Sequence, residues 1–400
     1  MLLKYMRYII ISLLIILSGA TVVGLSSSKQ PETSILVEKK PIQQDTIISN
    51  KKSMRQKISL VKEEKKPTVF TSTIILGWDI MLSRTIWADN KKQWYNRIFS
   101  GNNYHPIEAI PTCEKWWCLL LMNLESPFSP KDNDVKERTF IFKANTWNVA
   151  TLSALRGKNT MAVSLANNHV NNAWWEWIAT TRTLLDQHWF FHVGAWNTAE
   201  QAHEILTFKH NNITRCIAWY SYEWNWWIYW WKPLYRNKIN LSGMIADLQM
   251  MKTQLRCDIK AMMLHWWSEY RTKPNSWQII QAHTLIDNWL DIIIWWHSHV
   301  PWTIEIYSGK YIFYSLWNAL FDQDRWMKVV QPWMNTIYDD ILWKKTVPTY
   351  ISIFPELLAS KTNSWTTLSI KQIHTARFED GMYYPNDDKT RNNVLKSILQ

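Results

Sequence analysis

A chain of 400 residues with 29 Trp and only nine Gly is short of the residue that tight turns and helix ends demand. Average usage of about 7% would give roughly 28 Gly at this length, and the surplus of Trp nearly matches the deficit. The Trp also stand where Gly is expected. Trp174, Trp175 and Trp177 follow Asn171-Asn172-Ala173 at a helix start. Trp189 follows a helical run and precedes Phe190-Phe191-His192-Val193, where a helix-ending Gly belongs. Trp302 follows Pro301 at a Pro-Gly turn position. Trp reaches positive φ only at a cost, whereas Gly does so freely. Many of these Trp are therefore read as standing for Gly, as happens when a UGA codon that inserts Gly is translated as Trp. The competing reading of so many indoles is a Trp-rich module for carbohydrate or membrane-interface binding.

Composition sets wide bounds. With 47% hydrophobic and 20% charged residues, the chain has enough apolar content for one large globular domain or two small ones. Four Cys exclude a disulfide-stapled scaffold. Cys113 and Cys118 are close enough to bridge a loop in an oxidising compartment, while Cys216 and Cys257 beside apolar runs read equally as buried thiols. Residues 1–25 form a signal anchor or signal peptide: Lys4 and Arg7 precede an uncharged stretch from Tyr8 to Leu25. Residues 26–70 read as a basic flexible tether, with three Lys pairs and few aromatics. Residues 1–70 hold 12 Lys and Arg against 5 Asp and Glu, so most of the net charge of +12 lies outside the globular part. A nucleic-acid groove is not expected. The tether suits an anionic membrane surface or envelope polymer, through which the chain would be held on the extracytoplasmic face of the envelope.

Strand and helix signals alternate from residue 71 onward. Thr73–Leu76, Met161–Leu165, Phe190–Val193, Ile259–Leu264 and Ile292–Ile294 are short apolar strands. Ile178, Leu184 and Leu185 share one helical face, and Ile279, Ala282, Ile286 and Leu290 share another. Thr303–Tyr307 and Tyr311–Leu316 form a hairpin around Ser308-Gly309. The pattern predicts an α/β layered fold over residues 71–330. Residues 331–400 continue the same domain with strands at 349–354 and 367–370 and a short terminal helix.

Metal-ligand residue types recur just after the strands: Asp79, then Asn168 and His169, then His265, then His297 and His299. In open α/β sheets ligands bind beyond the carboxyl ends of strands. Four loops delivering carboxylate, amide oxygen or imidazole point to a mixed N/O site for Mn, Zn or Fe. In an extended chain, alternation would aim both imidazoles of His297-Ser298-His299 the same way.

With Trp78, Trp267, Trp295, Trp296 and Trp317 read as Gly and Trp266 kept, the motifs lie in Gly77-Trp78-Asp79-Ile80-Met81-Leu82-Ser83-Arg84, Asn123-Leu124-Glu125-Ser126-Pro127, Ser164-Leu165-Ala166-Asn167-Asn168-His169, His265-Trp266-Trp267-Ser268-Glu269-Tyr270, Trp295-Trp296-His297-Ser298-His299-Val300 and Tyr314-Ser315-Leu316-Trp317-Asn318. In this order and spacing the chain resembles the CapA family of bacterial capsule synthesis or poly-γ-glutamate biosynthesis proteins. That family is similar to the calcineurin-like metallophosphoesterases. The resemblance implies a two-sheet sandwich flanked by helices, with divalent metal at the strand ends. It places Asp79, Glu125, Asn168, His265, His297 and His299 as metal ligands and His169 as a proton donor or oxyanion stabiliser. Phosphoesterases carry Asp-x-His in the first loop, and this chain has Asp79-Ile80-Met81 instead.

The expected chemistry is metal-assisted attack on a carbonyl or phosphoryl centre of an anionic polymer such as poly-γ-glutamate. Arg84 would clamp an anionic group, and Glu269 would orient His265 or contact substrate. Lys143 faces substrate or solvent, and Asn318 lines the pocket or shapes a turn. Other capsule-synthesis proteins are expected partners. The alternative is a non-catalytic assembly or polymer-binding component with the same fold. Indoles as written are expected to crowd the strand ends around His297.

Overall fold

The computed structural model describes residues 68–83, 110, 113, 118–130, 142–170, 172, 174–196, 198–222, 235–266, 273–299, 302–316, 318–321, 351–363, 365–379, 382–385 and 388–398. The anchor, the tether as far as residue 67, Arg84 and Glu269 lie outside the described residues, whereas residues 68–70 are described and Phe70 already belongs to the first strand. Among the described residues no helix is long and apolar enough to cross a membrane.

Besides two short two-stranded pairings, Phe128–Ser129 with Ala144–Asn145 and Ala195–Trp196 with Tyr235–Arg236, two main sheets are laid down almost in chain order, and only their strands are numbered. The first opens with β1 (Phe70–Ile80), β2 (Leu119–Leu124), β3 (Thr160–Ser164) and β4 (Phe191–Val193), paired in parallel in that sequence. The second takes the next six strands: β5 (Leu206–His210), β6 (Ile213–Ser221), β7 (Ile259–His265), β8 (Ile292–Trp296), β9 (Ile304–Tyr307) and β10 (Lys310–Phe313). Its order is β9-β10-β8-β7-β6-β5, with only the two edge strands antiparallel. The chain then returns to the first sheet. β11 (Asn318–Leu320) lies parallel to the end of β1, and β12 (Ile351–Lys361) runs antiparallel to its beginning. β13 (Thr366–Glu379) and β14 (Met382–Pro385) extend that side.

Period-two alternation assigns each strand two faces. On β7, Ile259, Ala261 and Met263 enter the larger core, while Met262 and Leu264 enter a second cluster. On β8, Ile292 and Ile294 go inward while Ile293 and Trp295 go outward. The larger core also holds Ile75, Leu120 and Val163 of the first sheet, so it is shared by both sheets. The outer cluster is covered by α3 (Leu241–Thr253) through Met244, Leu248 and Met251, and by α4 (Ser276–Asp287) through Ala282, Leu285 and Ile286. Asn275 starts α4 with a reciprocal capping box to Gln278, which satisfies two otherwise orphaned N–H groups. Helices α1 (Val149–Arg156) and α2 (Trp174–Gln187) connect strands of the first sheet, and α5 (Asp388–Ile398) follows β14.

The turns bear on the Trp–Gly question. Ser308 and Gly309 both take positive φ, 48° and 72°, as a two-residue hairpin turn requires. Helix α2 ends with the Phe190 N–H on the Leu185 carbonyl at 2.9 Å and the Trp189 N–H on the Asp186 carbonyl at 3.0 Å. Helix α4 repeats this: Leu290 N–H to Leu285 at 3.2 Å and Trp289 N–H to Ile286 at 2.8 Å. This paired closure puts one residue in the left-handed region, usually Gly. Here those residues are Trp189 at φ 61° and Trp289 at φ 78°. The indole N–H groups of Trp219, Trp295, Trp296 and Trp302 are buried without an acceptor among the described residues, although buried Trp N–H usually finds one.

All four cysteines are bridged. Cys113 pairs with Cys118 and Cys216 with Cys257, at Cα separations of 5.5 and 5.8 Å. The second pair ties β6 to the segment entering β7, resolving the alternative that these were buried thiols. It closes a span of 41 residues. Replacing both of its cysteines by Ala is expected to lower stability by about 2–4 kcal/mol, read by urea titration of the variant beside the wild type.

Candidate metal centre

The carboxyl ends of β1, β2, β7 and β8 meet at one buried point. Apolar strands bring their terminal polar residues there because the shared core leaves those strands no other register. Asp79 is paired across the first sheet with Asn123 on β2 and Asn318 on β11. Its Oδ1 accepts from Asn123 Nδ2 at 2.7 Å and its Oδ2 from the His297 N–H at 3.2 Å. That last bond joins residues 218 apart and links the two sheets at the site. Glu125 is held by its own N–H on the Ile80 carbonyl at 2.9 Å, and its Oε1 lies 3.6 Å from His265 Nε2. The rings of His265 and His297 are 4.5 Å apart, and those of His297 and His299 are 5.8 Å apart.

The two imidazoles of His297-Ser298-His299 do not meet by strand alternation. β8 stops at Trp296, and His297 and His299 both adopt positive φ, 85° and 50°. The backbone is therefore turning rather than extended, a conformation that costs free energy and clusters at functional sites.

Hydrogen-bond chemistry fixes the orientation of the surrounding amides. The Phe142 N–H donates to an Asn172 side-chain atom at 2.8 Å, which must then be Oδ1. His169 Nδ1, 2.8 Å from the same oxygen, must carry its proton. His169 Nε2 is left to accept from Asn168 Nδ2 at 3.2 Å. Asn168 Oδ1 then accepts from His265 Nε2 at 2.8 Å, and His265 Nδ1 faces Asn123 Nδ2 at 3.3 Å. The ring of His169 stacks on Phe142 at 3.8 Å. His299 Nδ1 donates to Asn318 Oδ1 at 2.8 Å, which turns its Nε2 away from that partner. Asn318 therefore contacts a site imidazole besides pairing with β1.

Burial raises the Asp79 carboxyl from its ordinary value to about 7, against the lowering effect of its hydrogen bonds from Asn123 and His297. Burial, with His299 and His169 nearby, holds the His297 imidazole well below its ordinary value. The donor set fits a divalent ion. Ligand atoms of Asp79, Glu125 and His265 lie within 4.8 Å of one another, and so do those of Glu125, His297 and His299. The groups share Glu125, and all five residues are buried. Two carboxylates and three imidazoles form the mixed N/O set that Zn, Mn and Fe accept.

Of the residues singled out in the sequence, Asp79, Glu125, Asn168, His169, His265, His297 and His299 come together. Met81, in place of the imidazole of Asp-x-His loops, is fully buried and its Sδ accepts from Ser83 Oγ at 3.0 Å. The sequence assigned no role to Asn123 or Phe142, whereas Asn167 belongs to the Asn-rich tract whose position before His169 favours function. Asn has no periodic signature, and only the register of β1 on β2 reveals Asn123. Of the indoles expected to crowd the strand ends, Trp296 lies in the inner core, whereas Trp295, Trp266 and Trp302 pack in the outer cluster beneath α3 and α4.

Comparison with known proteins adds the family. Residues 73–323, more than half the chain, match the model of the bacterial capsule synthesis protein PGA_cap. A 66-residue stretch is 46% identical to the PGA biosynthesis protein CapA of Bacillus subtilis (strain 168), covering 16% of this chain and 17% of the relative. A 66-residue match to the capsule biosynthesis protein CapA of Bacillus anthracis is 39% identical and covers 16% of each. These matches span about one sixth of either relative. Among solved structures, a Staphylococcus aureus protein in complex with alpha-ketoglutarate overlays with a TM-score of 0.43 at 10% identity, over 82% of this chain and 58% of the other. A phosphatase from Mycoplasma pneumoniae gives 0.40 at 10% identity, over 81% and 98%. With the family model covering the whole second sheet, five of the eight strands of the first and every strand-end residue of the centre, the chain belongs to the bacterial capsule synthesis protein family.

Proposed function

We propose that this protein is a metal-dependent hydrolase or transferase acting on an anionic envelope polymer, of which poly-γ-glutamate is the leading candidate, during capsule assembly. The observation that carries this reading is the pair of ligand groups sharing Glu125 at the strand ends. Zn, Mn or Fe bound there would polarise the scissile carbonyl or phosphoryl group and lower the pKa of a bound water. Asp79, Glu125, His265, His297 and His299 would hold the ion, with the Asn168 amide oxygen beside them. His169 would serve as a proton donor, once protonated at Nε2, or as an oxyanion stabiliser beside the ligands: its Nδ1 proton is held by Asn172, and its Nε2 faces Asn168. Phe142 stacked on His169 restricts water on that side. Arg84 and Glu269 are assigned to binding the anionic group and to orienting His265.

We place the protein on the extracytoplasmic face of the envelope, held by residues 1–25, with the basic tether lying toward anionic surfaces and other capsule-synthesis proteins. Two disulfides support that placement, since such bonds persist in oxidising compartments. Purified protein loaded with Mn or Zn is expected to cleave a γ-glutamyl polymer or a phosphoester. A His297→Ala/His299→Ala variant, folded by circular dichroism, is expected to lose that cleavage. Bound polymer without cleavage in the loaded wild type would instead assign the family's fold here to a non-catalytic assembly role.

A further inference from the structure

Asn123 ends β2 fully buried, in register with Asp79 on one side and Ser164 on the other. Its orientation is dictated by what surrounds it. Asn167 Nδ2 donates to the Leu124 carbonyl at 2.8 Å, and a carbonyl can only accept, so the nitrogen end of Asn167 is fixed. Asn167 Oδ1, at the other end, accepts the His169 N–H at 3.1 Å. The same Asn167 Nδ2 lies 3.1 Å from Asn123 Oδ1, which must accept. Asn123 Nδ2 is thereby turned into the site, 2.7 Å from Asp79 Oδ1, 3.4 Å from Glu125 Oε1 and 3.3 Å from His265 Nδ1.

We infer that Asn123, locked by Asn167, is a positioning residue that holds the Asp79 and Glu125 carboxylates together at ion-binding separation before an ion enters. The inference rests on the metal-site reading above. Two carboxylates buried at close range repel one another in low dielectric, and each is penalised for leaving water. A shared N–H donor between them offsets both effects without adding charge. Partners of this kind set the orientation of ligands, and losing one typically weakens metal binding about 10- to 100-fold. Asn123 also donates at the head of the chain that runs through His265 and Asn168 to His169, so the same amide constrains carboxylates and imidazoles together.

Two substitutions at this position predict opposite outcomes, which a purely structural role would not produce. Titration of the full chain with Mn²⁺ alone is expected to show Asn123→Ala binding about 10- to 100-fold more weakly than wild type. Asn123→Asp puts a third carboxylate in place of the donor. Its metal-free form is expected to melt below wild type, and Mn²⁺ is expected to raise its melting temperature by more than it raises that of wild type. Unchanged affinity in Asn123→Ala, with wild type binding normally, overturns the inference alone. If Asn123→Ala does not fold, a Mn²⁺-induced shift in Asn123→Asp no larger than in wild type overturns it. A wild-type chain that binds no Mn²⁺ while folded overturns the metal-site reading and this inference with it.

Discussion

Glu125→Gln is expected to abolish ion binding at both halves of the candidate centre, whereas loss of any other single ligand is expected to leave one three-residue group intact. Glu125 is the one residue common to the two groups: Asp79 and His265 belong to one, His297 and His299 to the other. At an ion concentration of 100 times Kd, each bound ion is expected to add about 2.7 kcal/mol to the stability of wild type, and Glu125→Gln is expected to gain none. The metal-free comparison runs the other way. Glu125 is fully buried, and an ionised carboxylate in such a place costs several kcal/mol unless compensated. The neutral amide keeps the shape and removes that charge, so metal-free Glu125→Gln is expected to be at least as stable as wild type. Thermal melts with chelator and with added Mn²⁺, alongside metal content by mass spectrometry, give both readings. His299→Ala is the contrasting variant, expected to keep one ion on Asp79, Glu125 and His265. If Glu125→Gln retains the full ion content of wild type, the shared carboxylate is not the centre's pivot.

The distribution of signal along the chain explains what could be read before folding. β7 and β8 were legible because they are short runs of mainly apolar residues, with Lys260 the one charge inside β7, and His265 and His297 were legible because they close those runs. Lateral neighbours were not legible. Asn123 acts because β1 and β2 pair in the register that sets it beside Asp79, and no local pattern encodes a register between strands 44 residues apart. The β12–β13 hairpin was only half visible. Residues 349–354 and 367–370 carry strand signals, but the paired strands are Ile351–Lys361 and Thr366–Glu379, 11 and 14 residues long. The remainder includes Lys361 and Gln372, held by cross-strand pairing rather than apolar content, and Lys371, which falls at a register shift and reaches the Glu356 carboxylate with its Nζ at 2.7 Å. The H-x-H motif was legible as a ligand pair, but its geometry was not, because side-chain alternation applies to extended backbone and both histidines lie at positive φ.

Replacing Trp189 and Trp289 by Gly is expected to stabilise the folded chain by about 1 kcal/mol at each position, the reverse of what truncating a large apolar residue normally does. Both sit at the left-handed closure of a helix, where an L residue pays about 1–2 kcal/mol that Gly avoids. Part of that gain is offset by the greater freedom of Gly in the unfolded chain. Little packing is lost at Trp189, whose side chain is 84% exposed. Trp289 is 51% exposed, and its ring lies against the Lys252 ammonium, so its net gain is the smaller of the two. A control separates this backbone effect from a general tolerance of indole loss. Trp189→Ala removes the same ring yet keeps a Cβ at positive φ, so it is expected to recover little of the gain. Urea titrations of the two variants decide the sign. Peptide mass spectrometry of the protein from its own source tests the origin of the pattern: Gly at 189 and 289 is the expected result. The same substitution at Trp219, Trp295, Trp296 and Trp302 would remove four buried donors that find no acceptor among the described residues, each costing about 1–3 kcal/mol where it is unsatisfied. The helix closures and the buried donors are independent physical grounds, and they converge on one correction to the sequence. Trp at 189 in the native protein, together with a loss of stability in Trp189→Gly, would reject it.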